Sequence, residues 1–307
     1  MRAAPSLAQY PRRATAVTAG VLVASLRPEQ WTKNVLVFAG VLFSGGLVDP
    51  VALGSAVAAF VIFCALSGTG YLINDVVDRE ADQLHPLKRS RPVASGRLSP
   101  RLALTFAVTL GLSSLTAAAL LAPGFGIVAM GYVSLLLGYS AFLKHVVILD
   151  VLTIAAGFVL RAAAGAIAVD VPISPWLLVC TTLLALFLAL SKRRHELILL
   201  NVEAGSHRPI LNEYNAYLLD QMIAVVTAST LIAYSVYATS AETAERVGTA
   251  GLSLTIPFVL YGIFRYLYLV HRKDGGGNPT TMLLDDRPLL ACVIGWAATV
   301  VILIYLR

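Results

Sequence analysis

The chain has 307 residues, 58% of them hydrophobic and only 13% charged, with a mean hydropathy of +0.78. A soluble domain would carry about a quarter charged residues, so the composition excludes one, and apolar blocks near 20 residues long match the thickness of a bilayer core. The net charge of +6 is no sign of nucleic acid, because the basic residues gather in short loops on one side. Strand-like alternation is absent, which argues against a β-barrel and for an all-α, polytopic integral membrane protein. Cys64, Cys180 and Cys292 are odd in number and lie inside apolar runs, so they read as small packing residues.

Residues 1–13 are polar and carry Arg2, Arg12 and Arg13. Ala14–Leu26 is apolar but too short to span, and it predicts an interfacial helix, followed by Trp31 as an interface anchor. Residues 1–33 thus form a cytoplasmic N-terminal segment, and 34–307 a single transmembrane domain. Nine spans are predicted in it, at 34–48, 51–73, 99–121, 124–143, 149–169, 175–191, 217–239, 251–270 and 287–306. Of the 23 Lys and Arg residues, 19 fall on the side of the N-terminus and two, Arg246 and Arg307, on the other. The positive-inside rule then puts the N-terminus in the cytoplasm and the C-terminus outside, which agrees with an odd number of crossings. Gly275-Gly276-Gly277 lacks the strand and the Lys-Ser/Thr of a phosphate loop and reads as a flexible connection. Asp285 or Asp286, just before Pro288, reads as a helix N-cap.

The chemistry gathers at three places. The first is Asn74-Asp75-x-x-Asp78-x-x-x-Asp82, at the end of the second span. On a helix these four oxygen-bearing side chains fall within an arc of roughly 100°, where they repel one another unless a cation sits among them. Such oxygens suit Mg²⁺, which takes one or two carboxylates and leaves its other positions to substrate phosphates. A solvated acidic helix end is the plainer reading, but His85, Lys88, Arg89, Arg91 and Arg97 follow at once, shaped by Pro86 and Pro92. Acid followed by base is the order expected where Mg²⁺ and guanidinium groups share a diphosphate, although basic loops also serve simply to set topology.

The second place is Ser191-Lys192-Arg193-Arg194-His195-Glu196, where Lys192 and Glu196 share a helix face and the remaining bases stand at the surface or bind an anion. The third is Lys144 to Asp150, and then Arg161 deep within a span. An arginine there is costly unless paired; Asp150, three turns earlier on the same face, is the expected partner, with ligand contact as the alternative. Lys33 opens the first span on the cytoplasmic side and is a further candidate for phosphate. A transporter would carry its ionisable residues near mid-bilayer, whereas most of these cluster at the cytoplasmic edge.

Arg27-Pro28-x-x-Trp31-x-Lys33-Asn34, the Asn74–Asp82 motif and the nine predicted helices together resemble the UbiA superfamily of membrane prenyltransferases over nearly the whole chain. The resemblance implies a helical bundle open to the lipid, with two aspartate-rich motifs on a cytoplasmic-side cavity. This chain departs from that pattern at the second motif, where Ser191–Glu196 replaces an acidic cluster with a basic one. The run Tyr71–Asp82 followed by His85-Pro86-x-Lys88-Arg89-x-Arg91-Pro92 is similar to the branch of the family that moves phosphoribosyl onto decaprenyl phosphate. That branch implies transfer of 5-phosphoribosyl from phosphoribosyl diphosphate to a polyprenyl phosphate with release of diphosphate, at the plasma membrane, for a cell-wall arabinan precursor; a homo-oligomer is compatible with it. Asn74 and Asp78 then become the Mg²⁺ ligands, and Asp75 and Asp78 the catalytic carboxylates. Lys33, Tyr71, Asp82, Lys88, Arg91, Lys144, Arg161, Lys192, Arg193, Arg194 and Glu196 surround the substrates, with Lys33, Lys88 and Arg91 toward the donor and Lys144 and Arg161 toward the acceptor. Prenyl transfer to an aromatic acceptor is the rival reading.

Overall fold

The structure is a computed structural model, and it describes residues 18–84, 88–200, 209–273 and 277–306. Among these residues there is no strand, and eight helical segments are long and apolar enough to cross a membrane. They are α3 (Pro50–Val77), α5 (Pro100–Leu121), α6 (Pro123–Ala141), α7 (Leu149–Ala168), α8 (Pro175–Leu200), α9 (Ala216–Thr239), α11 (Ile256–Arg272, preceded by a 3₁₀ turn at Gly251–Thr255) and α13 (Arg287–Tyr305). Shorter helices are α1 (Ala19–Ser25), α2 (Ala39–Phe43), α4 (Arg79–Leu84), α10 (Ala241–Val247) and α12 (Pro279–Asp285).

The local sequence explains the helix starts. Proline stands in the first turn of α3, α5, α6 and α13, where its missing N–H costs nothing and its fixed φ is already helical. The side chains of Asp49, Ser99, Asn215 and Asp286 each accept a hydrogen bond from a first-turn N–H, so Asp286 is the cap before Pro288. Two helices are longer than a span needs. The 28 residues of α3 extend about 42 Å, so its last turns carry Asn74 and Asp75 to the membrane edge. In the same way the 26 residues of α8 carry the whole Ser191–Glu196 motif on one rigid element.

The stretch expected as a continuous span at 34–48 is broken. A 3₁₀ helix covers Pro28–Phe38, α2 covers Ala39–Phe43, and a second 3₁₀ turn covers Gly46–Val48. The cause lies in its packing against α7. A Cβ on Gly165 would stand 1.9 Å from the Val37 carbonyl oxygen, and one on Gly40 would stand 2.8 Å from Ala166 Cα. Backbone thus lies directly on backbone, which only small residues permit. Gly45, at φ +78°, then turns the chain out of α2. The irregular backbone finds its partners on α13: the Tyr305 hydroxyl donates to the carbonyls of Val41 and Leu42 at 3.0 and 2.7 Å and accepts from the Leu47 N–H at 3.3 Å. Near its start the segment meets α12 instead, where Thr32 lies 3.1 Å from Thr280. The broken segment therefore touches α12 at one end and the C-terminal end of α13 at the other.

Within the stretch 14–26, expected to be an interfacial helix, α1 is helical from Ala19 to Ser25, and residues 14–17 lie outside the described ones. It lies against α3, where Leu26 fills the space beside Gly68. His85, Gly275 and Gly276 also lie outside the described residues, while Gly277 packs so closely on His195 that a Cβ would meet its Nε2 at 2.7 Å. One apolar cluster (Phe63, Leu66, Phe125 and Tyr132 among others) fills the first half of the bundle. Another (Phe187, Leu190, Leu219, Ile223 and Tyr266) lies around the second motif's helix.

Candidate active site

The acidic motif straddles a bend. Asn74 and Asp75 close α3, Asp78 is its C-cap, and Asp82 sits in α4; the N–H groups of Asp78 and Asp82 bond the carbonyls four residues earlier, both at 2.8 Å. The four side chains stay close, but cations on the chain itself already hold three of them. Asp75, which is buried, pairs with Arg27 and lies 3.3 Å from Arg91 Nη1; the same nitrogen reaches Asp82 at 2.6 Å. Lys144 Nζ stands 3.3 Å from Asp78, whose side chain is 40% exposed. The Asn74 carbonyl oxygen accepts from Ser140 Oγ at 2.5 Å. The Arg27 guanidinium also lies 4.8 Å over the ring of Tyr71, which fixes that ring at the rim of the motif.

Would this face suit a divalent cation? The donors are all oxygens, as Mg²⁺ requires, and Asp75 Oδ2 is buried with no partner among the described residues. No group of three or more His, Cys, Asp or Glu residues that could hold a metal occurs among the described residues. The set therefore fits an ion completed by substrate phosphates rather than one caged by protein. Asn74 and Asp78 are the ligands on offer, one turn apart, with Lys144 standing beside Asp78.

The basic motif is mostly committed to its own neighbours. Arg193, the largest fully buried side chain, donates from Nε to Asp150 Oδ2 at 2.8 Å and from Nη1 to Glu196 Oε2 at 2.5 Å. Asp150 also accepts from the Tyr214 hydroxyl at 2.9 Å. Arg194 Nε reaches Asp220 at 2.5 Å, and the same carboxylate oxygen meets His271 at 3.3 Å. Lys192, 42% exposed, approaches Glu196 at 3.8 Å across one helical turn. Arg193 is thus a structural cation, and Lys192 is the member of the motif that faces outward.

The expected Asp150–Arg161 pair does not form. Eleven residues on one helix separate the two by about 16 Å along the axis, beyond side-chain reach, and Asp150 belongs to Arg193. Arg161 instead donates to neutral oxygens: Asn34 Oδ1 at 2.7 Å, the Gly157 carbonyl at 2.8 Å, the Tyr132 hydroxyl at 2.5 Å and Ser67 Oγ at 3.5 Å. The rings of Tyr132 and Phe158 cover it, at 4.7 and 5.2 Å. A guanidinium satisfied this way keeps its full charge available to an anion.

Lys33 feels that charge. Burial first, then Lys192, Arg161 and Arg27, push its ammonium down to about 7, with Glu29 opposing. Lys88 is lowered as well, by burial and then Arg91, against Asp82, Glu196 and Asp78. Lys88 therefore lies in the field of both motifs at once, between the end of α3 and α8. The sequence had given no role to Arg27, Asn34, Ser67, Tyr132, Ser140 or Tyr214. Arg27 and Asn34 carried a signal, standing in the N-terminal run beside Lys33, whereas the hydroxyls are indistinguishable in sequence from ordinary span residues.

With this geometry in view, the relatives agree. The model of the UbiA prenyltransferase family matches residues 34–284. The chain is 36% identical over 290 residues to decaprenyl-phosphate phosphoribosyltransferase of Mycobacterium tuberculosis, covering 92% of this chain and 94% of that one. It is 31% identical to the protein of that name from Corynebacterium glutamicum, covering 93% and 87%. Its fold is similar to that of a UbiA homolog from Archaeoglobus fulgidus bound to GPP and Mg²⁺, with a TM-score of 0.72 at 19% identity over 92% of this chain and 99% of that one. The chain belongs to the UbiA prenyltransferase family.

Proposed function

We propose that this protein transfers 5-phosphoribosyl from 5-phosphoribosyl 1-diphosphate to a polyprenyl phosphate, decaprenyl phosphate in the first instance, and releases diphosphate. The observation that carries the reading is a pair of cation-bearing regions, with Lys88 in the field of Asp82, Glu196 and Asp78 and Lys33 in that of Lys192 and Arg161. One is the acidic face at Asn74 and Asp78 with its attendant Lys144 and Arg91. The other is the gathering of Lys33, Lys192 and Arg161, where burial first and then the neighbouring cations depress Lys33. A reaction between two phosphate-bearing substrates needs both, whereas prenyl transfer to a neutral aromatic needs one. The names of the full-length relatives point the same way.

In the mechanism, the C1–O bond of the ribose breaks with its electron pair leaving on diphosphate, and a lipid phosphate oxygen forms the new bond to C1. Mg²⁺, held at Asn74 and Asp78, supplies charge neutralisation of the leaving diphosphate. The phosphate nucleophile is already anionic and needs no strong base, so the chain's task is to hold two anions side by side. Arg91 and Lys88 steady the donor, and Arg27 pairs with Asp75 beneath it. Lys144, which stands on Asp78, belongs with the donor rather than with the acceptor. Lys33, Lys192 and Arg161 take the acceptor phosphate, and its prenyl chain lies in the surrounding bilayer. Asp82, Arg193, Arg194, Glu196 and Tyr71 position these groups.

The protein sits in the plasma membrane with its N-terminus cytoplasmic and its C-terminus outside, and 34–48 makes the ninth crossing of a single domain. The test is purified protein in detergent with labelled phosphoribosyl diphosphate, a polyprenyl phosphate and Mg²⁺, with EDTA as control. Metal-dependent label in the lipid phase, with diphosphate released, is the expected result. Inertness there together with turnover of an isoprenyl diphosphate would overturn the choice of donor.

A further inference from the structure

The connection between α6 and α7 carries Lys144 to Asp78, and it ends in a strained turn. Ile148 has φ +69° and ψ −43°, a region that β-branched residues avoid. The Leu149 N–H bonds the Val147 carbonyl at 2.8 Å, so Ile148 is the centre of a positive-φ γ-turn, the rare and strained form. Such a conformation persists only where its surroundings hold it. One hydroxyl does so here. The buried Tyr214 accepts from the Ile148 N–H at 2.8 Å and donates to Asp150 Oδ1 at 2.9 Å, while the other Asp150 oxygen is taken by Arg193. The γ-turn, the basic motif and the loop before α9 therefore meet at one phenol.

We propose that Tyr214 is a positioning residue: its hydroxyl latches the strained turn at Ile148 onto the Asp150–Arg193 pair and so holds Lys144, four residues upstream, at Asp78. Both hydrogen bonds use the same oxygen, so removing it releases the turn and the carboxylate together. The relaxed turn swings the 142–148 connection, and Lys144 leaves the acidic face. The consequence for turnover rests on the reaction proposed above; the consequence for Lys144 does not.

The experiment compares wild type, Tyr214→Phe and the double variant Tyr214→Phe/Ile148→Gly in detergent. Two things are measured: acylation of Lys144 by a water-soluble amine reagent, followed by peptide mass spectrometry, and phosphoribosyl transfer. Tyr214→Phe should raise Lys144 acylation several-fold and lower kcat by about tenfold, the scale of one buried hydrogen-bond partner lost, with overall folding retained. Glycine adopts positive φ freely, so Ile148→Gly in the Phe background should return both readouts toward wild type, which repair of a mere packing defect would not do. Unchanged Lys144 acylation in Tyr214→Phe, or a defect in folding or reactivity that glycine does not reverse, overturns the proposal. If no protein transfers phosphoribosyl, wild type included, the reaction assignment fails while Lys144 acylation still decides the latch.

Discussion

Within the Lys192-Arg193-Arg194 run, three adjacent cations do different work, and their substitutions should separate. Arg193 is sealed in against Asp150 and Glu196, and removing one partner of a buried pair costs about 3–5 kcal/mol. Arg193→Ala should therefore fail as a folded protein, read as loss of a monodisperse peak in detergent, whereas Lys192→Ala should stay folded and raise KM for one phosphate-bearing substrate. A folded Arg193→Ala protein with only a KM defect would reverse those roles. Asp78→Asn should abolish turnover without unfolding, since this side chain is 40% exposed and its ion pair among the described residues is with the partly exposed Lys144; near-normal activity would remove the metal face from the mechanism. Lys33 gives a pH signature. With its ammonium lowered to about 7, it is charged below that pH and neutral above, until a bound anion restores the proton. The KM of the acceptor should climb as pH rises through 7, by up to about tenfold per unit for one linked proton. Lys33→Arg, which cannot deprotonate, should flatten the climb, and an identical profile in that variant would exclude Lys33 as its source. The acidic motif and the reversed charge of the second motif were legible in the sequence because their residue types are costly at a membrane edge. The partition among Lys192, Arg193 and Arg194 was not, because it depends on Asp150 and Asp220, which are distant in the chain.

Among the elements, the long helices were readable from apolar length and from the proline-plus-cap starts at Pro50, Pro100 and Pro288. The break in the first segment was not, since its sequence is apolar throughout and the cause lies on another helix. Gly165 is unremarkable among the small residues of α7 until Val37 is laid over it. That contact makes a sharp prediction. In Gly165→Ala the new methyl would stand 1.9 Å from the Val37 carbonyl oxygen, backbone that cannot rotate away, and overpacking of this kind costs about 1–3 kcal/mol. The apparent unfolding temperature in detergent should drop, and the displaced 3₁₀ segment should take Asn34 off Arg161. Gly131→Ala in α6, where nothing lies within 4 Å, should leave the temperature unchanged or raise it through helix propensity. Equal responses from the two variants would mean that the backbone contact between the first segment and α7 contributes no stability.

For the molecule as a whole, the distribution of charge and the path of the first segment bear on the same question, which side each terminus occupies. Eight helices alone would return the chain to its starting side; the segment at 34–48 decides the parity. It runs from Thr32, beside Thr280 of α12, to Leu47, beside Tyr305 at the end of the last helix. A 3₁₀ helix rises about 2.0 Å per residue, more than an α-helix, so a crossing by this element would need fewer residues than an α-helical one. The positive-inside rule favours the odd count, because an even one would put the five Lys and Arg residues of the N-terminal segment on the side opposite the other basic loops. A fluorescent protein that matures only in the cytoplasm should therefore shine when fused to the N-terminus, and alkaline phosphatase fused to the C-terminus should be active. A dark N-terminal fusion beside an active C-terminal phosphatase would remove the ninth crossing. The donor mouth, built from the ends of α3 and α8, would keep its side of the membrane, and a first segment that did not cross would start from the opposite side, which the closeness of Lys33 to Lys192 and Arg27 argues against.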